Sequence, residues 1–233
     1  MNGHHPDPAW GVIVAAGRSE RMGGIDKVFA PLMGRPLIVW SLAAFKRCDA
    51  IERVIVVAAP ESVERMSRLI AEWRFAKVAG VVAGGATRQA SVLAGVEAAE
   101  DAAVVAIHDA ARPLVTAELI AEGIELARRS GAALCAVPAR DTVKEVEGDP
   151  PVVRATHDRA RVWLAQTPQC FERELLLRAH EAAQGAATDD AALVEALGHA
   201  VSVYEGAAWN VKVTSPEDLV VAEALLRERL AAG

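Results

Sequence analysis

Short runs of Val, Ile and Ala occupy positions 11–16, 54–59, 78–82, 104–108 and 132–137. Their apolar residues are continuous rather than alternating, which is the pattern of strands buried on both faces. Between them, positions 37–45, 62–73, 89–99 and 116–129 place apolar residues three or four apart, one stripe of a helix, and Thr116 stands where an N-cap is expected. Strand and helix in alternation imply right-handed crossovers and an α/β fold with a doubly wound, mostly parallel sheet. Sheets of this kind bind ligands in the loops beyond the carboxyl ends of their strands. Those loops are where this chain concentrates Gly, Asp, Arg and Lys.

The alternation breaks after Pro138. Positions 142–146 and 152–156 read as two strands around Glu147-Gly148-Asp149-Pro150-Pro151, a hairpin signal. Its arms mix charged and apolar side chains, and two readings stand side by side: a surface flap, or an arm that covers a neighbouring subunit. Helical patterns at 173–183, 190–197 and 216–230 complete the chain. Nothing marks an internal boundary, and 233 residues suffice for one sizeable core, so residues 1–233 read as a single domain.

Composition narrows the function. The 25 basic and 31 acidic residues leave a formal charge of -6, so no general attraction to nucleic acid or to an anionic membrane is expected, and any phosphate site must be local. No apolar run approaches the roughly 18 residues of a membrane span, and positions 1–9 are polar and interrupted by proline, unlike a secretion signal. Cys48, Cys135 and Cys170 have neither metal-ligand nor redox spacing, and their odd number fits a reducing compartment. The expectation is a cytoplasmic protein.

Three strand-end loops carry candidate chemistry. After the first strand, Ala15-Ala16-Gly17 leads through Arg21 and a glycine pair to Lys27: small residues let backbone N–H groups approach phosphate, and two cations stand where a transferred phosphorus would gather negative charge. The loop lacks both the Gly-x-Gly-x-x-Gly spacing of NAD enzymes and the Gly-Lys-Ser/Thr ending of a P-loop. After the third strand, Gly84-Gly85 could admit a flat base, with Thr87 as a helix cap and Arg88 and Ser91 facing the same crevice. At the end of the fourth strand stand His108-Asp109-Ala110-Ala111-Arg112-Pro113. Asp109 could hold Mg²⁺ or a substrate hydroxyl, and Arg112 could grip a phosphate or instead form a structural salt bridge to Asp109. His108 reads as a core histidine bonded at the strand end.

Together with Asp141-Thr142-Val143-Lys144, Asp158-Arg159, Gln166-Thr167-Pro168-Gln169 and Asn210-Val211-Lys212-Val213-Thr214, these segments resemble the 2-C-methyl-D-erythritol 4-phosphate cytidylyltransferase family in order and approximate spacing, over nearly the whole chain. The resemblance implies a Rossmann-like nucleotidyltransferase fold that transfers CMP from CTP to the polyol phosphate and releases pyrophosphate, in non-mevalonate isoprenoid biosynthesis. It implies that Arg21 and Lys27 stabilise the transition state while Arg159 and Lys212 position the acceptor. By the same resemblance Ala15, Ala16, Gly17, Gly85, Arg88 and Ser91 hold the nucleotide, and Asp109, Ala110, Arg112, Thr142, Thr167 and Thr188 complete the substrate pocket. Mg²⁺ is the implied cofactor, with Asp109 as its candidate ligand, and residues 138–161 are the implied dimerisation arm of a homodimer. Asp26, Val28, Ala86 and Trp209 depart from residues common in the family. A cytidylyltransferase for another polyol phosphate, such as ribitol 5-phosphate, and a non-catalytic nucleotide-binding protein on the same fold are the alternatives.

Overall fold

A computed structural model describes residues 7–17 and 27–232. The chain runs β1 (Ala9–Ala15), β2 (Pro31–Leu32), β3 (Arg35–Pro36), α1 (Leu37–Arg47), β4 (Arg53–Ala58), α2 (Val63–Glu72), β5 (Val78–Ala83), α3 (Arg88–Glu97), β6 (Val104–Asp109), α4 (Ala117–Ser130) and β7 (Ala132–Pro138). It continues with β8 (Lys144–Glu147), β9 (Val152–Thr156), β10 (Trp163–Glu172), α5 (Arg173–Ala182), α6 (Asp190–Ala196), β11 (Ser202–Glu205) and α7 (Pro216–Ala232).

Seven strands form one sheet in the order β11-β7-β10-β6-β1-β4-β5. β1 pairs parallel with β4 and β6, β4 with β5, and β7 with β11. Successive strand residues point to opposite faces, and the central strands supply both with apolar side chains. Ile13 and Ala15 of β1, with Val54, Val56 and Ala58 of β4, meet α1, α2 and α4 on one face. Trp10, Val12, Ile55 and Val57 meet α3, α5 and α6 on the other. That two-sided burial is why these strands read as unbroken apolar runs. Thr116 caps α4 by accepting from the Leu119 N–H, as its position predicts, and Gly131 ends the helix at φ 79°, a left-handed conformation that favours glycine.

One central strand differs from the sequence pattern. β10 lies antiparallel between β6 and β7, with a register irregularity between Ala165 and Gln169. Its Gln-Thr-Pro-Gln segment carries polar side chains and a proline without a donor, features that argue against a central strand when read locally. The structure satisfies them from elsewhere: Gln166 Nε2 donates to the Ala207 carbonyl at 2.9 Å, and Gln169 Nε2 donates to Asp189 Oδ2 at 2.9 Å. The short edge strand β11 likewise lies outside the pattern. The predicted hairpin is present as β8 and β9, which pair with each other in a separate two-stranded sheet. Among the described residues no helix is long and apolar enough to cross a membrane. All three cysteines are buried and unpaired.

Candidate active site

The carboxyl ends of β1, β4, β5 and β6 open into a crevice of about 540 Å³. Ala15, Ala16, Gly17, Lys27, Gly85, Arg88, Ser91, Asp109 and Lys212 line it, so three separate strand-end loops do converge. Close packing explains the small residues. A Cβ on Gly84 would stand 2.5 Å from Ala16 Cβ and 2.7 Å from Ser91 Oγ, so the loop after β5 can touch the β1 loop and α3 only with glycine there. Ser91 then serves the loop from inside, accepting from the Gly85 N–H at 3.1 Å and donating to the Thr87 carbonyl at 2.8 Å. Thr87 caps α3 through the Ala90 N–H. Lys27 opens a 3-10 turn, Lys27–Phe29, whose next residue, Val28, is buried in the core and anchors the turn at the crevice.

A second, polar cavity of about 220 Å³ adjoins the first and shares Arg88, Asp109 and Lys212 with it. Arg112, Thr167 and Thr188 contribute to its lining. Asp109 is the hub: its Oδ2 lies 2.7 Å from Lys212 Nζ and its Oδ1 3.3 Å from Arg88 Nε. Burial alone would raise the Asp109 pKa, but Lys212 and Arg88 together overcome it and hold the carboxyl well below the usual carboxylate range. The salt bridge considered between Asp109 and Arg112 is not formed. Arg112 instead donates from Nη1 to the Asn210 carbonyl at 2.7 Å and from Nη2 to the Ala165 carbonyl at 3.4 Å, so a guanidinium held by neutral carbonyls keeps its charge for the cavity.

His108 is fully buried, as its strand-end reading predicts. Thr167 Oγ1 accepts from the Asp109 N–H, so its own proton points to His108 Nδ1 at 3.0 Å. This assigns the proton of the neutral imidazole to Nε2, which donates to the Arg112 carbonyl at 3.1 Å. Burial lowers the His108 pKa to about 4. The unfolded chain therefore takes up a proton near pH 6.5 that the folded one refuses. Stability from this group is complete above about pH 6.5 and is lost as pH falls toward 4. The unfolding midpoint should drop across that window, and His108→Gln should flatten the drop; an unchanged slope in the variant would assign it to other groups.

Several predicted site residues lie elsewhere. Ala110 is fully buried and its N–H is spent on the Val14 carbonyl, so its neighbour Ala111 lines the crevice in its place: its small side chain is core packing under the loop. Thr142 and Arg159 are exposed at the base of the hairpin and line neither cavity of their own chain; Arg159 Nη1 donates to the Arg140 carbonyl at 3.0 Å. Arg21 and Asp26 lie outside the described residues. Of the other departures, Val28 and Ala86 line the crevice, while Trp209 stacks under Arg229 at 5.2 Å beside α7. Sequence reasoning missed Asp190, which is buried and pairs with Arg88 at 2.9 Å. In sequence Asp189 and Asp190 stand side by side at the start of a helical pattern, and nothing local distinguishes the second from the first.

Residues 10–228 match the family model of 2-C-methyl-D-erythritol 4-phosphate cytidylyltransferase. The chain belongs to this family. A relative of that description from Dehalococcoides mccartyi (strain CBDB1) is 42% identical over 217 residues, 93% of this chain and 95% of its own. Another, from Geobacillus kaustophilus, is 43% identical over 94% of this chain and 97% of its own. The crystal structure of the cytidylyltransferase from Thermus thermophilus superposes with a TM-score of 0.75 at 40% identity, covering 93% of this chain and 98% of the other. A 4-diphosphocytidyl-2C-methyl-D-erythritol synthase from Anaerococcus prevotii reaches 0.84 at 28% identity over 95% and 96%. Membership in the cytidylyltransferase family accords with an α/β sheet whose strand ends gather phosphate-binding chemistry.

Proposed function

We infer that this protein transfers CMP from CTP to 2-C-methyl-D-erythritol 4-phosphate and releases pyrophosphate, a step of non-mevalonate isoprenoid precursor biosynthesis. The observation that carries the geometry of this reading is the pair of joined cavities. The larger has the glycine-rich walls and Lys27 suited to a nucleoside triphosphate, the smaller has Arg112 and Thr167, and Arg88, Asp109 and Lys212 stand between them. An acceptor phosphate in the smaller cavity would meet the α-phosphorus of CTP at that boundary. One acceptor phosphate oxygen attacks the phosphorus, the bond to the bridging oxygen breaks, and the electron pair leaves with pyrophosphate. No covalent enzyme intermediate is needed, because such transfers depend mainly on positioning and charge neutralisation.

Lys27 and Arg21 are assigned to the charge that grows on the transferred group, Lys212 and Arg159 to the acceptor phosphate. The described residues contain no cluster of three metal-ligating side chains, and Asp109 is a single carboxylate held ionised. That donor set fits a Mg²⁺ that takes most of its ligands from phosphate and water and at most one from Asp109. When bound, it would supply neutralisation of triphosphate charge. We assign the protein to the cytoplasm as a homodimer whose hairpin arm, 138–161, reaches the partner. Pyrophosphate release measured with CTP and either 2-C-methyl-D-erythritol 4-phosphate or ribitol 5-phosphate tests the function. Turnover is expected with the first; turnover with ribitol 5-phosphate alone would overturn the substrate assignment, and turnover with neither would overturn the activity.

A further inference from the structure

Asp190 is the first residue of α6 and is 1% exposed. Its carboxylate accepts no N–H of the helix. Asp189 caps α6 by accepting from the Ala192 N–H, and Gln169 Oε1 accepts from the Ala191 N–H. A buried carboxylate needs a counter-charge, and Arg88 Nη2 lies 2.9 Å from Asp190 Oδ2. Yet neither Asp190 oxygen takes an aligned hydrogen bond among the described residues. Arg88 in turn opens α3, where the positive end of the helix dipole disfavours a cation. An arginine so placed, held by Asp190 through Nη2 and by Asp109 through Nε, is costly as a purely structural device. The four groups form a chain from the interior to the crevice: Asp190, Arg88, Asp109 at 3.3 Å, then Lys212 at 2.7 Å.

We propose that Asp190 is a positioning residue for the transfer reaction: by holding Nη2 of the Arg88 guanidinium, it leaves Asp109 shared with Lys212 and so keeps that lysine at the boundary of the two cavities. Without the Asp190 charge, Arg88 has one carboxylate left and turns fully onto Asp109, displacing Lys212 from the acceptor phosphate. The proposal rests on the cytidylyltransferase reading, with Lys212 as an acceptor contact.

A double-mutant cycle on the full chain tests it, with kcat and both KM values measured for wild type, Asp190→Asn, Arg88→Ala and the double variant. Asp190→Asn should raise KM for the polyol phosphate about tenfold or more while KM for CTP stays within about twofold. In the Arg88→Ala background the same substitution should change kcat/KM by less than about twofold, because its effect travels through the arginine. Arg88→Lys keeps the charge but gathers it on one nitrogen in place of the Nε and Nη2 that meet the two carboxylates, and should reproduce the rise in the acceptor KM even if an Asp190 variant fails to fold. Equal factors in both backgrounds, parallel rises in both KM values, or a normal acceptor KM in Arg88→Lys would each overturn the proposal while leaving the activity intact. A wild-type protein without turnover would overturn both.

Discussion

Lys27→Ala should lower kcat by about 10²-fold or more, with KM for CTP changed far less. The lysine begins a 3-10 turn at the wall of the larger crevice, and Val28, 2% exposed, ties that turn into the main core. The side chain is thus carried by a fixed piece of backbone at the carboxyl end of the sheet, so its charge needs little reorganisation during the reaction. A preplaced charge is worth most where charge develops, on the oxygens of the phosphoryl group in flight, and less to a triphosphate whose charge is already formed and shared with other groups. Steady-state kinetics with pyrophosphate detection separate the two cases. Near-normal kcat with a raised KM for CTP would make Lys27 a ground-state contact and transfer the assignment to another cation.

Deleting residues 142–156 should give a folded monomer that still binds CTP but loses about 10²-fold or more in kcat/KM for the polyol phosphate, the scale expected when a positioning element is removed. Among the described residues β8 and β9 pair only with each other, and Val146, Val152 and Val153 are each more than half exposed. Trp163 and Leu164, where β10 leaves the base of the hairpin, are exposed as well. The hairpin's own ion pairs, Arg154 with Glu145 and Glu147, are solvent-exposed and contribute little. An isolated two-stranded hairpin is marginal in water, and a partner surface would supply the burial this one lacks. Arg159 and Thr142 lie outside both cavities of their own chain, so an acceptor role for either requires the cavity of a second copy. Light scattering and calorimetry with CTP measure the outcome. A wild-type monomer at micromolar concentration, or a deletion variant both dimeric and active, would remove the arm from the mechanism. Val152→Asp with Val153→Asp gives the same test without altering chain length.

The outline of the fold was legible because periodicity is a local property. Each central strand is buried on two faces and each helix on one, and those requirements are written into consecutive residues such as the run of β4 and the stripe of α4. Glycines and cations at strand ends were equally readable: a parallel sheet leaves its carboxyl-end loops as the place where backbone donors are uncommitted. β10 escaped that reading. Its glutamines are tolerated at the centre of the sheet because Asn210, Ala207 and Asp189, from later segments of the chain, satisfy their side chains.

Counter-ions show the same division. The sequence by itself determined that Arg88, Asp109 and Arg112 sit at strand and helix ends near one crevice, and that a hairpin interrupts the alternation; Lys212 entered only through the family resemblance. Only the tertiary structure decided that Asp109 pairs with Arg88 and Lys212 rather than with Arg112, that Ala110 is packing, and that buried Asp190 stands behind Arg88. The physical reason is that a charge takes its partner by distance and desolvation in three dimensions, whereas the sequence records only separation along the chain.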